Sequence, residues 1–138
     1  MDKYILIQSA EFDNNPIYIL CAPRMSGKTI ALMNYIGYYG IRCDYIYMYR
    51  NCVDNAIRYV KNSVEDGLIT KMPIVHFVEY KSYGCTIEHK SFDRLIIELD
   101  EIDLDDVKTI IHKALNVYKY HQIILVGTPD RFKSILTN

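Results

Sequence analysis

Apolar residues in this chain fall into two patterns, short continuous runs and longer stretches with helical spacing. The run Ile17–Cys21 is apolar throughout, which is typical of a strand buried on both faces of a sheet. In the stretch that follows, Ile30, Met33 and Ile36 lie on one helical stripe, and Gly40 is placed to cap the helix at its C-terminus. The pattern therefore predicts a strand, a loop and a helix in succession.

The same alternation continues towards the C-terminus. Runs rich in aliphatic and aromatic residues predict three more strands, at Cys43–Arg50, Arg94–Glu101 and Gln122–Pro129. Helical spacing predicts one helix over Val53–Val64, which Gly67 ends, and another over Leu104–Tyr118, for which Asp103 is the predicted N-cap. The chain is thus built from successive strand–helix units.

The stretch between residues 73 and 89 has two interpretations. Pro73–Tyr80 and Cys85–His89 are both strand-like and flank the turn-forming sequence Lys-Ser-Tyr-Gly, so they are either a hairpin or two separately placed strands. Strands that alternate with helices of this length predict a mostly parallel sheet with helices on both faces. We therefore expect an α/β fold in which residues 1–138 form one compact domain.

Composition adds limits on the function. Half of the residues are hydrophobic, 24% are charged and the net charge is −1, so no overall positive charge indicates a nucleic-acid partner. The chain contains no apolar run of about 20 residues and no signal-peptide pattern, from which we expect no membrane partner and a cytoplasmic location, in the host cytoplasm if the protein is viral. The four cysteines lack zinc-ligand spacing, and we assign them no metal.

The loop between the first predicted strand and helix is the first candidate for chemistry. Residues 22–29 read APRMSGKT, and a phosphate-binding loop of the form G-x-x-x-x-G-K-S/T would have glycine where this chain has Ala22. That glycine serves mainly to turn out of the strand, so Ala22 is tolerable if its φ stays negative, and Pro23 stiffens the turn.

The end of this loop has the groups that a nucleotide needs. Backbone N–H groups from Met25 through Ser26 and Gly27 to Thr29, at the start of a helix, would face a phosphate. Lys28 would place its charge on the β- and γ-phosphates, and the Thr29 hydroxyl would bind Mg²⁺. We therefore predict a nucleotide site at residues 22–29.

Two acidic residues end the strand that begins at Arg94. Asp100 can hold the water shell of Mg²⁺ opposite Thr29, and Glu101 can orient and deprotonate an attacking water. Glu98 interrupts the apolar run two residues earlier and so points to the same side of the strand as Asp100. Either Glu98 also faces the site, or it is itself the metal carboxylate.

Three further side chains have both a functional and a structural interpretation. Arg24 could stabilise charge on the γ-phosphate, in its own subunit or in a neighbouring one, or be a solvated surface arginine. Arg50 has the same two interpretations. Thr128 could sense the γ-phosphate or could simply be a turn residue before Pro129.

Taken together, these motifs resemble those of large terminase ATPases, the motors that package viral DNA. The loop APRMSGKT is similar to their variant of the Walker A motif, LIIELDE to their Walker B motif with its catalytic glutamate, and LVGTP to their coupling motif. The sequence YMYRNCVDNAIRYVKNSVE also resembles the strand, arginine and helix that follow the first helix in that family.

This resemblance implies a P-loop NTPase of the RecA-like, additional-strand, conserved-glutamate class. In that class Lys28 and Thr29 contact phosphate and Mg²⁺, Asp100 the metal, Glu101 acts as catalytic base and Arg24 as an arginine finger, with Thr128 in coupling. The implied cofactors are ATP and Mg²⁺, and the implied partners are double-stranded DNA, further copies of the chain, and a portal or nuclease chain. The chain is shorter than the usual terminase ATPase domain and has no room for a nuclease domain.

Two other functions stay open. The sequence PRMSGKT also resembles the loop of type II thymidine kinases, in which Glu101 would deprotonate a sugar hydroxyl, although the cysteine-rich zinc module of those kinases is missing here. A third interpretation is an assembly subunit that binds ATP and hydrolyses it weakly.

Overall fold

The structure of the protein, a computed structural model, describes residues 6–12, 15–23, 27–46, 53–81, 83–100 and 102–136. The described strands are β1 Leu6–Phe12, β2 Asn15–Cys21, β3 Arg42–Ile46, β4 Ile74–Phe77, β5 Glu79–Lys81, β6 Thr86–Glu88, β7 Arg94–Glu98 and β8 Gln122–Gly127. The described helices are α1 Lys28–Tyr39, α2 Val53–Glu65, α3 Leu104–Asn116 and α4 Pro129–Leu136.

Six of these strands form one sheet in the order β1-β2-β8-β7-β3-β4. Strands β2, β8, β7, β3 and β4 are parallel to one another, and β1 pairs antiparallel with β2. The predicted α/β fold with a mostly parallel sheet is confirmed. Because β8 lies between β2 and β7, the carboxyl ends of these three strands are neighbours at one edge.

Side chains of the central strands alternate between two apolar layers. On one face, Leu95 and Ile97 pack in a cluster with residues of α3 and α4, such as Ile110 and Phe132. On the other face, Ile96 packs in a cluster with residues of α1 and α2, such as Met33 and Val60. The alternation of buried side chains within β7 thus explains why helices cover both faces, as predicted.

Helix α1 begins and ends at glycines in the left-handed region. Gly27 has φ 82° and ψ 18° at its N-cap, and Gly40 has φ 65° and ψ 28° at its C-cap. The prediction that Gly40 caps this helix is confirmed. At the start of α3, the predicted N-cap Asp103 accepts a hydrogen bond from the Asp105 N–H at 3.1 Å, which satisfies one of the free donors of the first turn.

The stretch at 73–89 combines the two interpretations that its sequence allowed. Pro73–Tyr80 divides, so that β4 joins the main sheet beside β3 while β5 forms an antiparallel hairpin with β6. The predicted strand Cys43–Arg50 is observed as β3 up to Ile46, and residues 47–50 lie outside the described residues.

A buried carboxylate joins distant parts of the chain. Asp44, fully buried in β3, accepts hydrogen bonds from the backbone N–H groups of Ser91 and Phe92 at 3.0 and 3.2 Å and from the Tyr120 hydroxyl at 2.7 Å. Its Oδ1 also lies 3.3 Å from Nδ1 of His76 in β4. These bonds connect β3 and β4 with the segments that precede β7 and β8.

Within the described ranges, no helix combines the length and the apolar character needed to cross a membrane.

Candidate functional site

The carboxyl ends of β2, β8 and β7 lie side by side along one side of the sheet, the carboxyl edge. Backbone pairing extends past the strands, since the Ala22 N–H donates to the Gly127 carbonyl at 3.1 Å and the Leu99 N–H donates to the Val126 carbonyl at 2.8 Å. The residues that follow β2, β7 and β8 are therefore held side by side. The predicted site residues of these segments that the structure describes belong to this edge.

At the two described ends of the predicted loop, the backbone has the φ angles that Ala22 and Gly27 favour. Among non-glycine residues that the structure describes, positive φ occurs at Cys85, His89 and Lys119, so Ala22 keeps the negative φ that its side chain requires. Gly27 has a positive φ, and a Cβ added there would meet no atom within 4 Å. Its conformation, not crowding, therefore favours glycine at this position.

Lys28 and Asp100 meet across this edge. The Lys28 Nζ lies 3.5 Å from Oδ2 of Asp100, and the two side chains are only 11% and 13% exposed. The other carboxylate oxygen of Asp100 accepts two hydrogen bonds from Thr128, at 3.1 Å from its N–H and at 3.2 Å from its hydroxyl. Asp100 thus connects the start of α1 with the end of β8.

Thr29 contacts a different carboxylate. Its hydroxyl donates to Oε1 of Glu98 at 2.9 Å. Strand β7 ends at Glu98, earlier than the predicted strand Arg94–Glu101, and Asp100 lies in the turn that follows. Glu98 and Asp100 still contact consecutive residues of α1. The expectation that Glu98 faces the same side as Asp100 is confirmed.

Burial changes the acidity of Glu98. Removal from water raises the pKa of its carboxyl from 4.5 to about 7. The Thr29 hydrogen bond, the Tyr45 hydroxyl and the Lys28 charge each act to lower this pKa, and the Asp100 charge raises it further. Glu98 is therefore a carboxyl that changes charge near neutral pH.

The surroundings of Glu98 contain tyrosines that the sequence motifs did not indicate. The hydroxyl of Tyr45 in β3 lowers the pKa of the Glu98 carboxyl. The pKa of Tyr59 in α2 is raised by burial first and by the Glu98 charge second. The high tyrosine content of the sequence was the one available signal, and composition alone does not assign a tyrosine to a site.

Cys21 lies at the end of β2 near the same charges. Burial raises the pKa of its thiol, the Asp100 charge raises it further, and the Lys28 charge lowers it. The thiol is therefore protonated at neutral pH and is a poor nucleophile.

The structure brings together part of the predicted site. Gly27, Lys28, Thr29, Asp100 and Thr128 adjoin one another, and Ala22 and Pro23 lie at the end of β2 on the same edge. Five residues with predicted roles lie outside the described residues: Arg24, Met25, Ser26, Arg50 and Glu101.

The oxygen atoms of this site suit a hard cation. The Thr29 hydroxyl and the Glu98 and Asp100 carboxylates are the kind of ligand that Mg²⁺ takes in proteins. No group of three or more His, Cys, Asp or Glu side chains that could hold a metal occurs in the part of the chain that the structure describes. A cation would therefore need ligands from outside these side chains, such as water or phosphate oxygens.

Comparison of the chain with protein-family models, with curated proteins and with solved structures gave no match.

Proposed function

We propose that this chain is a P-loop ATPase domain of the RecA-like, additional-strand class, which binds Mg²⁺ and ATP where β2, β7 and β8 end. The observation that carries the proposal is the meeting of the α1 start with the end of β7: Lys28 with Asp100 at 3.5 Å, and Thr29 with Glu98 at 2.9 Å. The start of α1, which follows a buried parallel strand, provides a lysine and a hydroxyl, and two carboxylates face them from the end of β7 and the turn after it. These groups suit a nucleoside triphosphate with its metal.

Each described residue has a definite role in this proposal. The backbone from Gly27 to Thr29 donates N–H groups to the phosphates, aided by the helix dipole, and Lys28 moves its charge from Asp100 to the incoming phosphate. The Thr29 hydroxyl and the carboxylates opposite it would hold Mg²⁺, which neutralises charge on the phosphoryl group when it is bound. In the family that the sequence resembles, Asp100 would be the metal carboxylate.

The contact of Thr29 supports a role for Glu98 as a second metal-facing carboxylate. Glu98 bonds to the hydroxyl that is assigned to the metal, whereas Asp100 is already engaged by Lys28 and Thr128. We therefore place both carboxylates in the proposed metal site, with Glu98 beside Thr29. The proposed catalytic base is still Glu101, and Arg24 is still the proposed arginine finger.

The strand order supports the additional-strand class. Strand β8 separates β2, which precedes the loop, from β7, which ends at Glu98 and is followed by Asp100. The end of β8 also contacts the site, because Thr128 donates twice to Asp100. This contact supports Thr128 as a coupling residue that responds to the state of the site.

The DNA-packaging part of the proposal rests on the resemblance to terminases. It includes double-stranded DNA as substrate track, a homo-oligomer, and a portal or nuclease chain as partner. The decisive experiment measures phosphate release from ATP with and without double-stranded DNA, beside phosphoryl transfer to thymidine. Phosphate release that DNA stimulates supports the motor, whereas labelled thymidylate would identify a nucleoside kinase.

Lys28→Ala should abolish ATP hydrolysis, because Lys28 is the described cation paired with the Asp100 carboxylate and its charge would balance that of the phosphate. We expect at least a 100-fold loss of phosphate release, measured at saturating ATP. Lys61→Ala, an exposed lysine on α2, is the matched control and should keep the wild-type rate. Equal rates for Lys28→Ala and the wild type would contradict the nucleotide site, and tight ATP binding without turnover in the wild type would favour the assembly subunit.

A further inference from the structure

Helix α4 makes a second connection to the turn that follows β7. Arg131 donates from Nη2 to the Asp100 carbonyl at 2.9 Å and from Nη1 to the Ile102 carbonyl at 3.0 Å. Both donors belong to one planar guanidinium, so the two carbonyls are held at a fixed separation. The two bonded carbonyls are those on either side of position 101.

The same turn is held from its side-chain face by Thr128. The Thr128 N–H and hydroxyl bond to the Asp100 carboxylate, while Arg131 bonds to the Asp100 backbone. Thr128 immediately precedes α4, and Arg131 lies in its first turn, where the Phe132 N–H donates to the Thr128 carbonyl at 3.2 Å. One helix start thus fixes both the backbone and the carboxylate of Asp100.

We propose that Arg131 is a positioning residue for the site. It holds the Asp100 and Ile102 carbonyls so that the Asp100 carboxylate stays between Lys28 and Thr128. Arg131 acts through these carbonyls and does not itself touch the nucleotide. The inference rests on the proposed ATPase function, and it adds a residue that the terminase-like motifs do not contain.

The guanidinium is required because of its shape. An ammonium group has the same charge, but it is a single point on a flexible stem and does not hold two carbonyls at a set distance. Arg131→Lys should therefore recover only part of the function, whereas Arg131→Met, which keeps the stem, should lose both bonds.

The test compares phosphate release by the wild type, Arg131→Met and Arg131→Lys over a range of ATP and Mg²⁺ concentrations. For Arg131→Met we expect kcat to fall about 10- to 100-fold, as when a partner that orients a metal-site ligand is removed. We expect the Mg²⁺ concentration for half-maximal rate to rise. The KM for ATP should change less than 3-fold, since Lys28 and the start of α1 bind the phosphates. Arg131→Lys should give an intermediate kcat.

Lys133→Met is the matched control, because it removes one positive charge from an exposed position of the same helix. It should keep the wild-type kcat and Mg²⁺ dependence.

Thermal unfolding of all variants identifies a purely structural effect: if Arg131→Met loses activity only in proportion to its unfolded fraction, the positioning role is wrong. Unchanged kcat and Mg²⁺ dependence in Arg131→Met, with an active wild type, would overturn this inference alone. A wild type that releases no phosphate would overturn the proposed function and this inference with it.

Discussion

The Glu98 carboxyl is held in surroundings that favour its protonated form. Burial raises its pKa to about 7, although Thr29, Tyr45 and Lys28 each favour the charged form. The folded protein therefore holds this proton more tightly than the unfolded chain, in which the pKa is near 4.5. Stability from this group is complete below about pH 4.5 and is lost as the pH rises through about 7.

Glu98→Gln should remove this pH dependence. Between pH 5 and pH 8, the wild type should lose free energy of unfolding relative to the variant, by an amount on the order of 3 kcal/mol, since one pKa unit corresponds to about 1.4 kcal/mol. Urea denaturation of the nucleotide-free proteins at both pH values measures the difference. Glu88→Gln, in the β5–β6 hairpin, is the control. Lys81 lowers the pKa of the Glu88 carboxyl, so Glu88 does not share the pH dependence expected of Glu98. Parallel stability curves for wild type and Glu98→Gln would contradict the raised pKa.

Helix α1 offers a comparison between its two ends. Gly27 and Gly40 both have positive φ, and an added Cβ would meet no atom within 4 Å at either glycine. Alanine should therefore cost a similar amount at each position, about 1 to 2 kcal/mol, for backbone strain alone. Only the N-terminal end adjoins Lys28 and Thr29.

We expect Gly27→Ala and Gly40→Ala to lower the free energy of unfolding by similar amounts, whereas only Gly27→Ala should weaken nucleotide binding. The reason is that Gly27 sets the direction of the first N–H groups of α1. Urea denaturation and titration with a fluorescent ATP analogue measure the two effects. Equal nucleotide affinities in the two variants would show that the α1 start does not hold the phosphates.

Local sequence patterns predicted some of the strands and helices and missed others. The segment Gly27–Thr29 and the end of β7 were found because their motif and apolar run are contiguous in sequence. Strand β1 has a mixed pattern, LIQSAEF, and derives its pairing from β2, while Pro129 suggested the end of a strand and is in fact the first residue of α4. The polar interruption at Glu98 was visible in the sequence, but its reason, the Thr29 hydroxyl, lies 69 residues away.

The whole sheet depends on contacts between distant segments, and the buried carboxylate of Asp44 makes several of them. It accepts hydrogen bonds from Ser91, Phe92 and Tyr120 with no exposed surface. An ionised acceptor with several donors contributes more than a neutral bond, and removal of the charge leaves those donors poorly matched.

Asp44→Asn should lower the free energy of unfolding by about 2 kcal/mol, in the range for leaving buried hydrogen-bond donors without an acceptor. Asp93→Asn is the matched control, since the Asp93 side chain is 84% exposed, and it should change stability by less than about 1 kcal/mol. Chemical denaturation at pH 7 distinguishes the two variants. Equal stabilities would show that Asp44 does not join these segments in solution.

The position of β8 between β2 and β7 has a consequence for how the chain acquires its structure. Tyr18 pairs with Ile124, and Arg94 pairs with Gln122, so the centre of the sheet is completed by β8, which follows all the other described strands in the sequence. Pairings between segments far apart in the sequence form slowly, because a large loop must close, at a cost in chain entropy, before the strand contacts stabilise it. During synthesis, the segments that carry Lys28 and Asp100 emerge from the ribosome well before the strand that holds them together. The proposed site is therefore complete only after β8 has emerged, and a chain that ends before β8 lacks the strand that holds β2 and β7 side by side.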